Sequence, residues 1–263
     1  MTPRASVARS LLLGLLVLLA ACTSQRTGDS QRGQTASSSS PLERAKVHTE
    51  LGVRYYEIGQ LGVALEELNT AISADGTYAP AYNALALVRM ALREDDEAEK
   101  NFLKALKLDP ASSEAKNNYG LFLCQRGRAT EGIRQLLDAL KNPLYSTPDV
   151  AYMNAGLCSL KAGDSKGAEE FFLRAVRLNP NQAEALFGLA DLSFQRDDYS
   201  AARQYLSRYM AVANPPLAEA LWLGARTERK LGDRDALANY GSQLRRRYPS
   251  SPETKAFLEG RFE

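Results

Sequence analysis

The sequence predicts an all-α fold: a right-handed superhelix of six helix-turn-helix repeats, closed by a C-terminal capping helix. Three observations carry this expectation. From residue 45 onward the residue types recur with a period of 34, which suits a helical pair with its turns. Asp-Pro or Asn-Pro stands near the end of several blocks, where proline removes a backbone donor and pushes its predecessor out of the helical region. No stretch shows the alternating polarity of a half-buried strand.

Composition bounds the function. The chain has 263 residues, 44% hydrophobic and 24% charged, which is globular in type. It holds one His, His48, too few for a His-based triad, a His-rich metal site or a proton shuttle without partner groups. Lys plus Arg is 33 and Asp plus Glu is 31, and both excess positives, Arg4 and Arg9, lie in the first 21 residues. A neutral body argues against nucleic acid as a partner, because phosphate affinity needs clustered excess Lys and Arg.

Residues 1–21 read as a signal peptide. Arg4 and Arg9 form a basic n-region, and the apolar run Leu11 to Leu19 is too short to span a bilayer. Leu19-Ala20-Ala21-Cys22 resembles the bacterial lipobox, in which the Cys becomes the lipidated first residue. The alternative is an ordinary secretory cleavage after Ala21. Lipidation would place several acyl chains on Cys22, giving firm anchoring where one chain gives marginal binding. Thr23 rather than Asp at the next position implies, by the enterobacterial sorting rule, the periplasmic face of the outer membrane. Residues 22–44 continue as a tether. Thr23 to Pro41 holds almost no apolar side chain and four consecutive serines, so it cannot bury enough surface to fold. About 20 flexible residues reach roughly 25 Å.

Residues 45–249 contain the six blocks, approximately 45–78, 79–112, 113–146, 149–182, 183–216 and 217–250, with Thr147 and Pro148 inserted after the third. Position eight is small in each: Gly52, Ala86, Gly120, Gly156, Ala190 and Gly224. Position twenty is small too: Ala64, Ala98, Gly132, Ala168, Ala202 and Ala236. Position twenty-four is large: Leu68, Phe102, Leu136, Phe172, Leu206 and Tyr240. Small residues let the two helices approach, and large ones fill the space toward the next repeat. This arrangement resembles the tetratricopeptide repeat. One repeat cannot bury its own apolar face, so the stack is the folding unit. Ser250-Ser251-Pro252-Glu253 then opens the cap helix within residues 250–263.

In such a stack the inner face is lined by the first helix of each repeat, at positions two, five, nine and twelve. Over the first repeats these positions give Val53, Tyr56, Asn83, Leu87, Met90, Asn117 and Leu121. The stripe is mostly apolar, with two Asn side chains to hold a backbone amide. Contiguous exposed apolar surface marks a partner site, and this one suits an amphipathic helix or an apolar chain end; the alternative is ordinary core. Repeat six offers Ala225 and Glu228 instead, a more charged surface. Position two holds Lys46, Pro80, Glu114, Val150, Glu184 and Ala218, so the basic clamp that captures acidic tails in chaperone repeats is missing. Cys124 and Cys158 occupy positions twelve and ten of neighbouring helices. A disulfide between them is feasible in an oxidising compartment, and two buried thiols are the alternative. No further ligands complete a zinc site there. His48 sits at a packing position, and Arg245-Arg246-Arg247 reads as a solvated basic face or a docking patch.

Several stretches go beyond the general repeat pattern: Asn117-Asn118-Tyr119-Gly120-Leu121-Phe122-Leu123-Cys124, Leu144-Tyr145, Asn154-Ala155-Gly156-Leu157-Cys158, Asn179-Pro180-Asn181-Gln182 and Tyr240 through Pro249. With the lipobox, tether, six repeats and cap, they resemble the PilF/PilW family of type IV pilus biogenesis lipoproteins. The resemblance implies a pilotin that binds the pilus secretin and helps it reach the outer membrane and multimerise. It implies no catalytic residues, no metal, no cofactor beyond the covalent lipid on Cys22, and no small-molecule substrate. The rival expectation is a scaffold lipoprotein of another envelope complex, serving β-barrel assembly or peptidoglycan synthesis. An enzyme is disfavoured because no residues are left for a catalytic domain.

Overall fold

The computed structural model describes residues 40–262. The signal peptide, Cys22 and most of the tether lie outside the described residues. Thirteen helices and no strand are found among those described. They pair as α1 (Pro41–Glu57) with α2 (Leu61–Ala74), α3 (Ala79–Ala91) with α4 (Asp95–Leu108), and α5 (Ser113–Gln125) with α6 (Ala129–Ala139). The series continues with α7 (Pro148–Lys161) and α8 (Ser165–Leu178), α9 (Ala183–Gln195) and α10 (Tyr199–Val212), α11 (Ala218–Leu231) and α12 (Arg234–Arg247), then the cap α13 (Pro252–Leu258). Each pair packs on the next, giving the all-α tetratricopeptide superhelix.

Side-chain chemistry sets the helix ends. Ser112, Asp164, Asp198, Asp233 and Ser251 each accept a backbone N–H of the first turn, as a capping residue does. The turn inside each pair needs one left-handed residue. Gly59, Gly127, Gly163 and Gly232 supply it at φ between 75° and 79°, whereas Arg93 and Asp197 adopt φ of 64° and 62°, a conformation that is costly with a Cβ. Asp109 and Asn179 end their pairs by accepting the N–H two residues on, from Ala111 and Asn181, so the Asx side chain shapes the turn as much as the proline does.

Two boundaries differ from the sequence expectation. Helix α1 begins at Pro41 rather than Ala45, because Ser40 caps the N–H of Glu43 and Pro41 sits at the first helical position. Pro148, read as part of an inserted turn, is likewise the first residue of α7. The true connection is Leu140–Thr147, where Leu144 is 87% exposed.

The small-large pattern is the core. Leu68, Phe102, Leu136 and Phe172 are fully buried, as are Ala64, Ala98, Ala168 and Ala202. A Cβ on Gly52 would lie 2.6 Å from Leu68 Cγ, and one on Gly224 would lie 2.6 Å from the Tyr240 ring. Only glycine lets the helices of those pairs close to this spacing.

Candidate functional site: the groove of repeats one and two

Helices α1, α2, α3 and the start of α5 line a cavity of about 230 Å³. Val53, Tyr56 and Leu87 form its apolar wall, with Leu68 and Val88 at its base and Thr49, Asn83, Glu57 and Glu114 supplying polar groups. Val53, Tyr56 and Leu87 are half-buried rather than sealed, so the helices leave apolar surface in contact with water. That surface gains about 25 cal/mol for each Å² a partner covers.

The positions assigned to this groove from sequence divide into two sets. Val53, Tyr56, Asn83 and Leu87 line the cavity together. Met90 and Leu121 do not. Met90 is half-buried and packs against the cluster of Phe102, Tyr119 and Phe122, which a position number does not reveal.

Asn83 and Asn117 are both buried and belong to a chain of side-chain amides. Asn118 Nδ2 donates to Asn83 Oδ1 at 3.2 Å, Asn117 Nδ2 to Asn118 Oδ1 at 3.2 Å, and Asn154 Nδ2 to Asn117 Oδ1 at 3.0 Å. Asn83 Nδ2 donates to Glu114 Oε1 at 3.4 Å. These contacts run from repeat two into repeat four. A primary amide has two N–H groups and two lone pairs, so each Asn keeps capacity for a further bond. Their first duty is to one another, and neither is the free amide holder expected from sequence.

Repeat six also departs from expectation. Glu228, read as a groove charge, is buried and pairs with Arg203, whose Nε donates to Oε1 at 3.0 Å. Ala225 and Leu221 are fully buried. At the matching depth in repeat five, burial pushes the Asp191 carboxyl up, against the opposing pull of the Gln195 amide.

Cys124 and Cys158 are joined as a disulfide with Cα atoms 5.4 Å apart, linking α5 to α7. His48 Nδ1 lies 2.6 Å from Glu67 Oε2, tying α1 to α2. Arg245 to Arg247 form the exposed last turn of α12, where positive charge complements the helix dipole. No cluster of His, Cys, Asp and Glu able to hold a metal occurs among the described residues.

Tetratricopeptide repeat models match residues 83–149 and 159–222. The type IV pilus assembly protein PilF of Pseudomonas aeruginosa is 35% identical over 82% of this chain and 85% of its own length. A solved structure of Pseudomonas aeruginosa PilF superposes with TM-score 0.76 at 34% identity, over 84% of this chain and 99% of that one. The structure of PilW, described as a widely conserved type IV pilus biogenesis factor, superposes at TM-score 0.73 and 30% identity, over 81% and 98%. Identity at this level, sustained across the repeats of both relatives, means that this chain belongs to the PilF/PilW family of tetratricopeptide-repeat proteins.

Proposed function

We propose that this chain is an outer-membrane lipoprotein that binds the type IV pilus secretin and promotes its outer-membrane localisation and multimerisation. The lipid on Cys22 supplies the address, the serine-rich tether supplies reach, and the groove of repeats one and two supplies recognition. The protein works as a binding scaffold without catalysis or cofactor. One observation carries the assignment of the site: the half-buried apolar wall of Val53, Tyr56 and Leu87, rimmed by Asn83, Glu57 and Glu114. Such a wall suits an apolar face of an incoming segment, and the rim suits its backbone N–H groups. The groove begins in the repeat that follows the tether in sequence. A secretin bound there is held within tether reach of the bilayer it must enter.

A Cys22→Ser variant tests the carrier role. It should fold normally, remain in the soluble periplasmic fraction and leave secretin multimers depleted from the outer membrane. Normal multimer levels with this variant would refute the role of the lipid. A deletion strain that keeps its secretin multimers and twitching motility would favour a scaffold of another envelope complex.

A further inference from the structure

The other end of the stack carries a second cleft of different chemistry. It lies between α11 and the segment that follows α13, with a volume of about 800 Å³. Four cations line it: Arg226, Arg229 and Lys230 from α11, and Arg261 from the terminal segment. Trp222 and Phe262 form its aromatic wall, with ring centroids 5.0 Å apart.

Elsewhere Arg89, Arg126, Arg128, Arg196 and Arg203 are ion-paired. Within the cleft only Arg261 is, to Glu259 at 2.6 Å. Arg226, Arg229 and Lys230 make no salt bridge among the described residues; Arg226 feels the Asp191 carboxylate from beyond salt-bridge distance, and aromatic rings hold all three. The Arg229 guanidinium stands 4.4 Å over the Phe262 ring, Arg226 stands 4.4 Å over Phe194, and Lys230 Nζ stands 5.8 Å over Tyr199. A guanidinium held by its face on a ring keeps its N–H edge free and fixed, ready for a carboxylate in its plane.

We propose that this cleft docks an acidic peptide segment that carries an aromatic or other large apolar residue beside its carboxylates. Charge complementarity calls for the carboxylates, and the aromatic wall of Trp222 and Phe262 receives the apolar side chain. The cleft already holds a polypeptide segment of this chain: the Phe262 ring packs against Trp222, tilted by 32°, while Arg226 Nε donates to the Phe262 carbonyl at 3.4 Å. That handling of backbone and ring favours a polypeptide over a lipid headgroup or free phosphate. The balanced charge outside the first 21 residues gives no wider basic surface for a polyanion or a membrane. The site differs from the chaperone clamp, since position two of every repeat lacks the basic ring. It is also independent of the apolar groove of repeats one and two.

Trp222 is the single Trp of the chain, so its fluorescence reports on this cleft directly. The test titrates the full protein with the peptide Gly-Asp-Glu-Phe-Asp-Glu-Gly, with its Asn/Gln analogue, with inorganic phosphate and with phosphatidylglycerol vesicles. The acidic peptide should shift Trp222 emission with a saturable, salt-sensitive response, and the other three probes should not. An Arg229→Gln, Lys230→Gln double variant should bind the peptide about tenfold more weakly or worse, since two charge-assisted contacts are lost. Its melting transition should match that of the parent protein, because both residues are exposed. An equal response to the neutral analogue or to phosphate would overturn the proposal. So would a response to vesicles alone, or unchanged peptide affinity in the double variant.

Discussion

Phe172 offers the sharpest test of how the stack is held together. Its ring is fully buried between α7 and α9. A Cβ built on Gly156 of α7 would lie 2.5 Å from Phe172 Cδ1, and one built on Gly188 of α9 would lie 2.5 Å from Cε2. Ordinary carbon contacts need about 3.5 Å or more, so the ring would have to move by roughly 1 Å. The glycine on the other face blocks that movement. Gly156→Ala should therefore cost about 1–3 kcal/mol by overpacking. Phe172→Ala should cost about 3–5 kcal/mol through lost burial and the cavity left behind. In that background the constraint on Gly156 is gone. Gly156→Ala should then stabilise by up to ~1 kcal/mol, the helix-propensity gain of Ala over Gly. The double-mutant cycle thus predicts a change of sign, read from urea melts followed by helical circular dichroism. If the alanine costs the same with and without the ring, the close-approach account of position eight is wrong.

Two further perturbations probe stability. The Cys124–Cys158 bridge spans a sequence separation of 34, and loop-entropy arguments assign such a cross-link about 4 kcal/mol. Reduction, or a Cys124→Ser, Cys158→Ser pair, should lower the urea midpoint accordingly, and an unchanged midpoint would deny the bridge a stabilising role. Arg203→Ala should cost about 1–3 kcal/mol by leaving the buried Glu228 carboxylate without its partner; restored stability in an Arg203→Ala, Glu228→Leu double variant would confirm the cause, whereas an unchanged stability in Arg203→Ala would contradict it.

The fold was legible because one packing solution is written six times. Gly or Ala at positions eight and twenty, and a large residue at twenty-four, recur often enough to exceed local noise. The start of α1 was legible too, though it was read as tether. Ser40, Pro41 and Glu43 place a cap, an N1 proline and a first-turn acid in order, and the low apolar content before them masked the signal. The groove was only partly legible. Register brings Val53, Tyr56, Asn83 and Leu87 to one cavity, whereas Met90, half-buried like them, packs against Phe102, Tyr119 and Phe122 outside it. Glu228 looked exposed because its partner, Arg203, lies on the preceding repeat. The C-terminal cleft escaped sequence reading for a similar reason. Trp222, Arg226, Arg229 and Lys230 share one helix at suggestive spacing, yet their ring partners come from α9, α10 and the segment after α13.

The central claim is that the groove of repeats one and two holds the secretin. It is tested most directly by titrating the purified periplasmic region of the secretin against this protein and a Val53→Ala, Tyr56→Ala, Leu87→Ala variant. The variant must keep parental helicity and a cooperative melt, which half-buried side chains permit. Truncating an interface anchor costs ~2 kcal/mol or more, so loss of the set should weaken binding by about a hundredfold at least. A folded variant that binds the secretin with parental affinity would contradict the account.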